Sequence, residues 1–161
     1  MSWVHVIILG GITVAYTNAI STYRETKVKT ASQGQLITML YEGAVKSLDQ
    51  ALDLLGLNAR GKRNPENIER ISNAILKTQE IITELTVSLD FEQGGEIAQN
   101  LFSLYTWFNK ELVEANIAQD MNRVMTVRNL LNELRSAWAE IAAKSTPEAT
   151  GKVVTGVNIA G

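Results

Sequence analysis

Leu85-Thr-Val-Ser-Leu-Asp-Phe-Glu-Gln-Gly-Gly-Glu-Ile-Ala-Gln-Asn-Leu-Phe-Ser-Leu-Tyr105, continued by Thr106 to Asp120, decides the fold of this chain. One helical pattern closes near Asp90, and Gly94-Gly95 interrupt the chain, since paired glycines lose too much conformational freedom to favour a helix interior. After the break, Ile97, Leu101, Leu104, Tyr105, Phe108, Leu112 and Ala115 recur at steps of three and four, the period of an amphipathic helix. The stretch therefore reads as a tight helical hairpin against which the flanking segments pack.

Outward from it, the same period repeats. Asn64-Pro65 has the form of a helix start, an Asn cap followed by proline in the first turn, where a missing N–H costs nothing. Ile68, Ile71, Ile75, Ile82, Leu85 and Leu89 follow as an apolar stripe with Thr78 in the gap. Further upstream, Ser32 with Gln35 resembles a capping box, and a helix is expected from about Gln33 to Leu55. Its face of Leu36, Ile37, Leu40, Tyr41, Ala44, Leu48, Ala51, Leu52 and Leu55 is broader than a coiled-coil seam and suits burial in a bundle. Gly43 interrupts it at about 1 kcal/mol relative to alanine. A close helix crossing and simple tolerance account for it equally well. Downstream, Asp120 is expected to cap a last helix striped by Val124, Val127, Leu131, Leu134, Trp138 and Ile141, with Lys144 near its end and Pro147 as its stop.

Short connections between long helices force neighbours to reverse direction, so the expected fold is all-α, an antiparallel up-down four-helix bundle. A mobile, partly helical N-terminal arm is expected to precede it. The expected boundaries are an accessory or disordered extension over 1–14, the bundle with its arm over 15–144, and a flexible tail over 145–161. The apolar run Val4 to Val14 is shorter than the roughly 20 residues a membrane helix needs, and no basic residue precedes Arg24. A signal-anchor reading is thus weaker than an accessory one, and no stable membrane insertion is expected.

Composition narrows the function classes. The 161 residues carry a net charge of −2, which gives no electrostatic footprint for nucleic acid. There is no cysteine and a single histidine, His5, so thiolate chemistry is absent and a carboxylate–histidine metal centre lacks its histidines. Arg60, Lys62 and Arg63 form a basic turn, read as solvated. Glu80 with Glu84, and Glu111 with Glu114, read as solvated faces, and Ser32 and Ser88 have no histidine to activate them. No catalytic residue, metal ligand or cofactor site is expected.

Apolar groups that miss the stripes are the remaining signal. Leu76, Thr83 and Val87 lie roughly 100° or more from their helix's stripe, Phe102 and Val113 lie off the next, and Met39 and Trp107 are also displaced. Scattered surface apolar groups and a second apolar groove for an amphipathic partner segment both fit this pattern. The groove reading makes the chain a binding module.

Several blocks of sequence resemble the flagellin export chaperone family FliS. They are Val28-Lys-Thr-Ala-Ser32 with Gly34, Leu40-Tyr-Glu-Gly43, Ile81-Ile-Thr-Glu-Leu85, Leu89-Asp90, Gly94-Gly-Glu-Ile-Ala98 with Asn100-Leu101, Leu104-Tyr105, Ala115-Asn116, Leu130-Leu-Asn-Glu-Leu-Arg135 and Ala137-Trp138. Together they span about Ile20 to Lys144 in order. The resemblance implies a helical bundle in the bacterial cytoplasm that binds the disordered C-terminal region of flagellin, prevents premature polymerisation and aids delivery to the flagellar type III export apparatus. The export gate protein FlhA is a further implied partner. On this reading the groove candidates are Met39, Leu40, Tyr41, Leu76, Thr83, Val87, Phe102 and Val113, and the arm contributes Ile20, Tyr23 and Val28 as candidate lid residues. Two departures stand out: Ser32-Gln33-Gly34-Gln35 replaces the family's Ser-Pro-Gly-Glu, and Ile20 occupies the place of the first of two arm tyrosines. A structural helical adaptor that dimerises through the same apolar face is the alternative. The residues leave the oligomeric state open.

Overall fold

A computed structural model describes residues 33–61 and 64–160, with side chains described over 35–61, 64–141 and at 143. Four helices account for nearly all of it: α1 (Gln33–Ala59), α2 (Pro65–Val87), α3 (Phe91–Ala118) and α4 (Met121–Ala160). Helix α1 packs against α2 and α4, and α3 closes the ring by touching α2 and α4, so the expectation of a four-helix bundle is borne out. Residue pairings order the ring. Asn58 meets Asn67 while Gly43 lies against Ile81, Asp49 meets Arg128 while Gly56 lies against Met121, and Ser72 meets Asn116 while Gln79 meets Asn109. Each set descends along one helix as it ascends along the other.

The core follows the stripes. Ile37, Tyr41, Leu48, Ile71, Ile75, Ile82, Leu85, Phe108, Leu112, Val124, Val127, Leu131 and Trp138 are buried together, with Ile97, Leu104 and Ile141 packed at the margin. Ile68 departs from the expectation: in the first turn of α2 it stays 41% exposed, lining a shallow cleft with Leu55, Asn58 and Gln119 outside the buried core. Thr78 fits a buried apolar layer because its hydroxyl donates to the Ala74 carbonyl one turn back, leaving no unpaired donor. Across the core the hydroxyls of Tyr41 and Tyr105 are hydrogen-bonded, tying α1 to α3.

The helix starts are capped as the sequence indicates. Asn64 Oδ1 accepts from the Glu66 N–H, and Asp120 Oδ1 accepts from the Asn122 and Arg123 N–H groups. The Ser32 cap and residues 1–32 lie outside the described residues. Several boundaries differ from expectation. Helix α1 runs one turn further, to Ala59. Asp90, read as a helix end, is instead the cap of α3, accepting from the Gln93 N–H, so α3 begins before the glycines. Helix α4 continues through Pro147 to Ala160. Proline withdraws one backbone bond and crowds the preceding turn, a penalty of about 3 kcal/mol that need not end a helix with many other bonds.

The glycine break survives as a kink within α3, where Gly95 adopts φ 50° and ψ −126°. An L side chain rarely adopts that conformation, although a Cβ there would meet nothing within 4 Å. Gly95→Ala is therefore expected to cost about 1–3 kcal/mol through the backbone alone. Urea melts would show this as a lower midpoint at unchanged slope, and an unchanged midpoint would mean that the kink relaxes freely. Gly43 is different. A Cβ there would lie 3.4 Å from Ile81 Cδ1, an ordinary contact, so α1 and α2 approach closely but packing does not demand glycine.

Candidate partner-binding groove

Helices α2 and α3 meet along a polar seam. Asn116 Nδ2 donates to Ser72 Oγ at 3.1 Å, and Gln79 Nε2 donates to the Asn109 carbonyl at 3.1 Å. These two bonds fix both the register and the facing side of each helix. With about 100° of rotation per residue, Leu76, Thr83 and Val87 lie within about 80° of Gln79, on the side away from the core. Phe102 and Val113 lie within about 40° of Asn109, again away from the core. The two rows therefore flank one outer furrow. Extending the register places Leu76 level with Val113 and Val87 level with Phe102.

Exposure agrees with that placement. Leu76 is 50% exposed, Val87 80%, Phe102 45% and Val113 48%, and Thr83 is also exposed. Surface apolar groups are ordinary when scattered, but here they form an interrupted apolar strip along one furrow, Leu76 with Val113 and Val87 with Phe102, with Thr83, Thr106 and the Gln79–Asn109 bond between the two pairs. Two further residues extend it. Phe91 packs edge-on against Phe102 with centroids 5.9 Å apart, and the exposed Ile117 lies one turn beyond Val113. Phe91 escaped the sequence reading because it lies in what reads as a connection. The four-residue step from Val113 to Ile117 was a signal that could have found the second.

The other groove candidates are not brought to this furrow. Tyr41 is wholly buried on the core stripe of α1, where Tyr105 satisfies its hydroxyl, and Leu40 is partly buried against the same core. Met39 is exposed, but on α1, at the opposite flank of α2. Trp107 is half-exposed on the far side of α3 from the furrow, its ring tilted against Phe108 at 5.9 Å. The lid candidates Ile20, Tyr23 and Val28 lie outside the described residues.

Polar clusters elsewhere are structural in form. Glu111 and Glu114, expected to be solvated, converge on Arg123 Nη1 at 2.9 and 3.1 Å, with Asp120 3.4 Å from its Nε. The Glu111 carboxylate foremost raises the Arg123 guanidinium above the ordinary arginine value. The cluster joins the α3–α4 turn to both helices, and at this exposure its contribution to stability is small. Arg128 pairs with Asp49 at 2.8 Å across α1 and α4. A cleft of about 360 Å³ between α1 and α2 has a mixed lining of Gln50, Asp53, Leu54, Arg70, Asn73, Ala74 and Lys77. Among the described residues there is no group of acidic or histidine side chains that could hold a metal, and no helix long and apolar enough to cross a membrane.

Comparison with known proteins bears on what the furrow serves. A family model described as flagellar protein FliS matches residues 16–145. The chain is 34% identical over 125 residues to the flagellar secretion chaperone FliS of Salmonella typhimurium, covering 76% of this chain and 85% of the relative. It is 36% identical over 118 residues to the Escherichia coli protein of the same name, covering 72% and 80%. The corresponding Campylobacter jejuni protein is 33% identical over 128 residues, covering 80% and 94%.

Proposed function

This chain belongs to the FliS family, whose matched members are flagellar secretion chaperones, and we propose that its client is the disordered C-terminal region of flagellin. The observation that carries the proposal is the apolar strip of Leu76, Val87, Phe102 and Val113 along the α2–α3 furrow. A segment that folds on binding must offset its ordering cost by burying apolar area, typically about 1,000–3,000 Å². A long furrow supplies such area with no catalytic group, and the client would lie in it as amphipathic helices. Sequestered in this way in the cytoplasm, flagellin would be kept from polymerising early and be delivered to the export apparatus, with FlhA as a candidate receptor. Ile20, Tyr23 and Val28 are proposed to cover apolar surface until the client displaces them.

The direct test is calorimetry of the full chain with a synthetic flagellin C-terminal peptide. Saturable binding at one peptide per chain, with a negative heat-capacity change from apolar burial, is the expected result. Absence of binding would remove the proposal. Self-association through the same strip in place of peptide binding would favour the dimerising adaptor.

A further inference from the structure

The departures from regular packing gather on one helix. Helix α3 approaches α2 and α4 more sparsely than α1 approaches the same two helices. Its N-terminal end carries the Gly95 kink, and its C-cap, Gln119, is the one non-glycine residue at positive φ among the described residues, at φ 52° and ψ 45°. Buried side-chain acceptors without a partner among the described residues are Asn109 Oδ1, midway along α3, and Gln119 Oε1 at its end. Its seam with α2 is bridged by amide and hydroxyl groups, Ser72 with Asn116 and Gln79 with Asn109.

Each feature lowers the cost of moving α3 relative to the rest. Polar seam bonds can be exchanged for water, whereas apolar interdigitation cannot. A buried unpaired acceptor favours any displacement that lets water or a donor reach it. Glycine at one end and a left-handed residue at the other place conformationally distinctive points where a rigid helix would pivot. The α1–α2 and α1–α4 contacts form a tighter frame, and the Asp49–Arg128 pair spans the second of them.

We propose that α3 is the displaceable helix of the bundle, swinging on Gly95 and Gln119 away from α2, and that client docking draws on this opening of the α2–α3 furrow. The opened seam offers Asn109 Oδ1 to a donor on the incoming amphipathic segment and widens the furrow between Leu76 and Val113. The docking half of this inference rests on the proposed flagellin client; the mobility half does not.

Two measurements test it on the full chain. Hydrogen exchange without any client should show the central amides of α3 exchanging at least tenfold faster than those of α1; equal protection overturns the proposal. The absence of native cysteine allows a selective tie. Ser72→Cys with Asn116→Cys, bridged by a short bis-maleimide, should lose at least tenfold in affinity for the flagellin peptide. The single Cys variants capped with N-ethylmaleimide, and a matching tie between Asp49→Cys and Arg128→Cys across α1 and α4, should keep the uncrosslinked affinity. Thermal melts confirm that each form is folded; if the first tied form is not, the same Ser72→Cys and Asn116→Cys pair is closed with a longer bis-maleimide. Unchanged affinity in the tied protein, or equal loss in the capped controls, overturns the opening. Failure of the untied protein to bind peptide would remove the flagellin reading and the docking half with it, while the exchange result still decides the mobility of α3.

Discussion

Replacing Trp138 by alanine is expected to remove about 3–5 kcal/mol of folding stability, a large share of the roughly 5–15 kcal/mol typical of a domain. Trp138 is 1% exposed and ranks among the largest fully buried side chains, joined in one core by Tyr41, Tyr105, Phe108 and Leu131. Truncation removes its buried apolar area and leaves a void that helices held on several sides cannot fully close. Trp138→Phe should cost much less, because it retains a ring in the same space. Urea denaturation followed by circular dichroism would measure both. A loss below about 1 kcal/mol for the alanine variant would place Trp138 outside the cooperative core, against its burial.

The core was legible in the sequence because helical burial is periodic. Ile71, Ile75, Ile82 and Leu85 on α2, or Val124, Val127, Leu131 and Leu134 on α4, can face only one way once the helix forms. Asn64 and Asp120 were legible for a local reason: a short acceptor just before a helix satisfies backbone N–H groups within its own turn. Asp90 was misjudged because the same carboxylate fits the end of one helix or the start of the next, and only the Gln93 N–H decides. Tyr41 shows the limit more sharply. It sits on the core stripe and also inside a family block, so sequence allowed both core and groove; Tyr105, 64 residues away, settles its burial. A helical wheel shows that Leu76 and Val87 leave the stripe, but not what they stand beside. That required the Ser72–Asn116 and Gln79–Asn109 bonds, which set the register between helices and pair those residues with Val113 and Phe102.

Changing Leu76 and Val87 together to Asp is expected to weaken flagellin-peptide binding by at least about 2 kcal/mol, on the order of thirtyfold in Kd. In the free chain both side chains face water, 50% and 80% exposed, so a carboxylate at either position keeps its hydration. In the proposed complex both are covered by the client's apolar face. Burying an ionised carboxylate against an apolar face is costly. Folding stability should change far less, by about 0.5 kcal/mol per site, as for other exposed positions. The difference between the two readouts is what identifies a binding surface, since a core position would lose both together. Met39→Asp provides the contrast: equally exposed but on the other flank of α2, it should leave affinity near the parent value if the α2–α3 furrow alone holds the client. Calorimetry with the peptide, paired with thermal melts of each variant, separates these outcomes. A double variant that melts and binds like the parent would show that the client docks elsewhere on the bundle, and loss of binding in Met39→Asp would move the contact to α1.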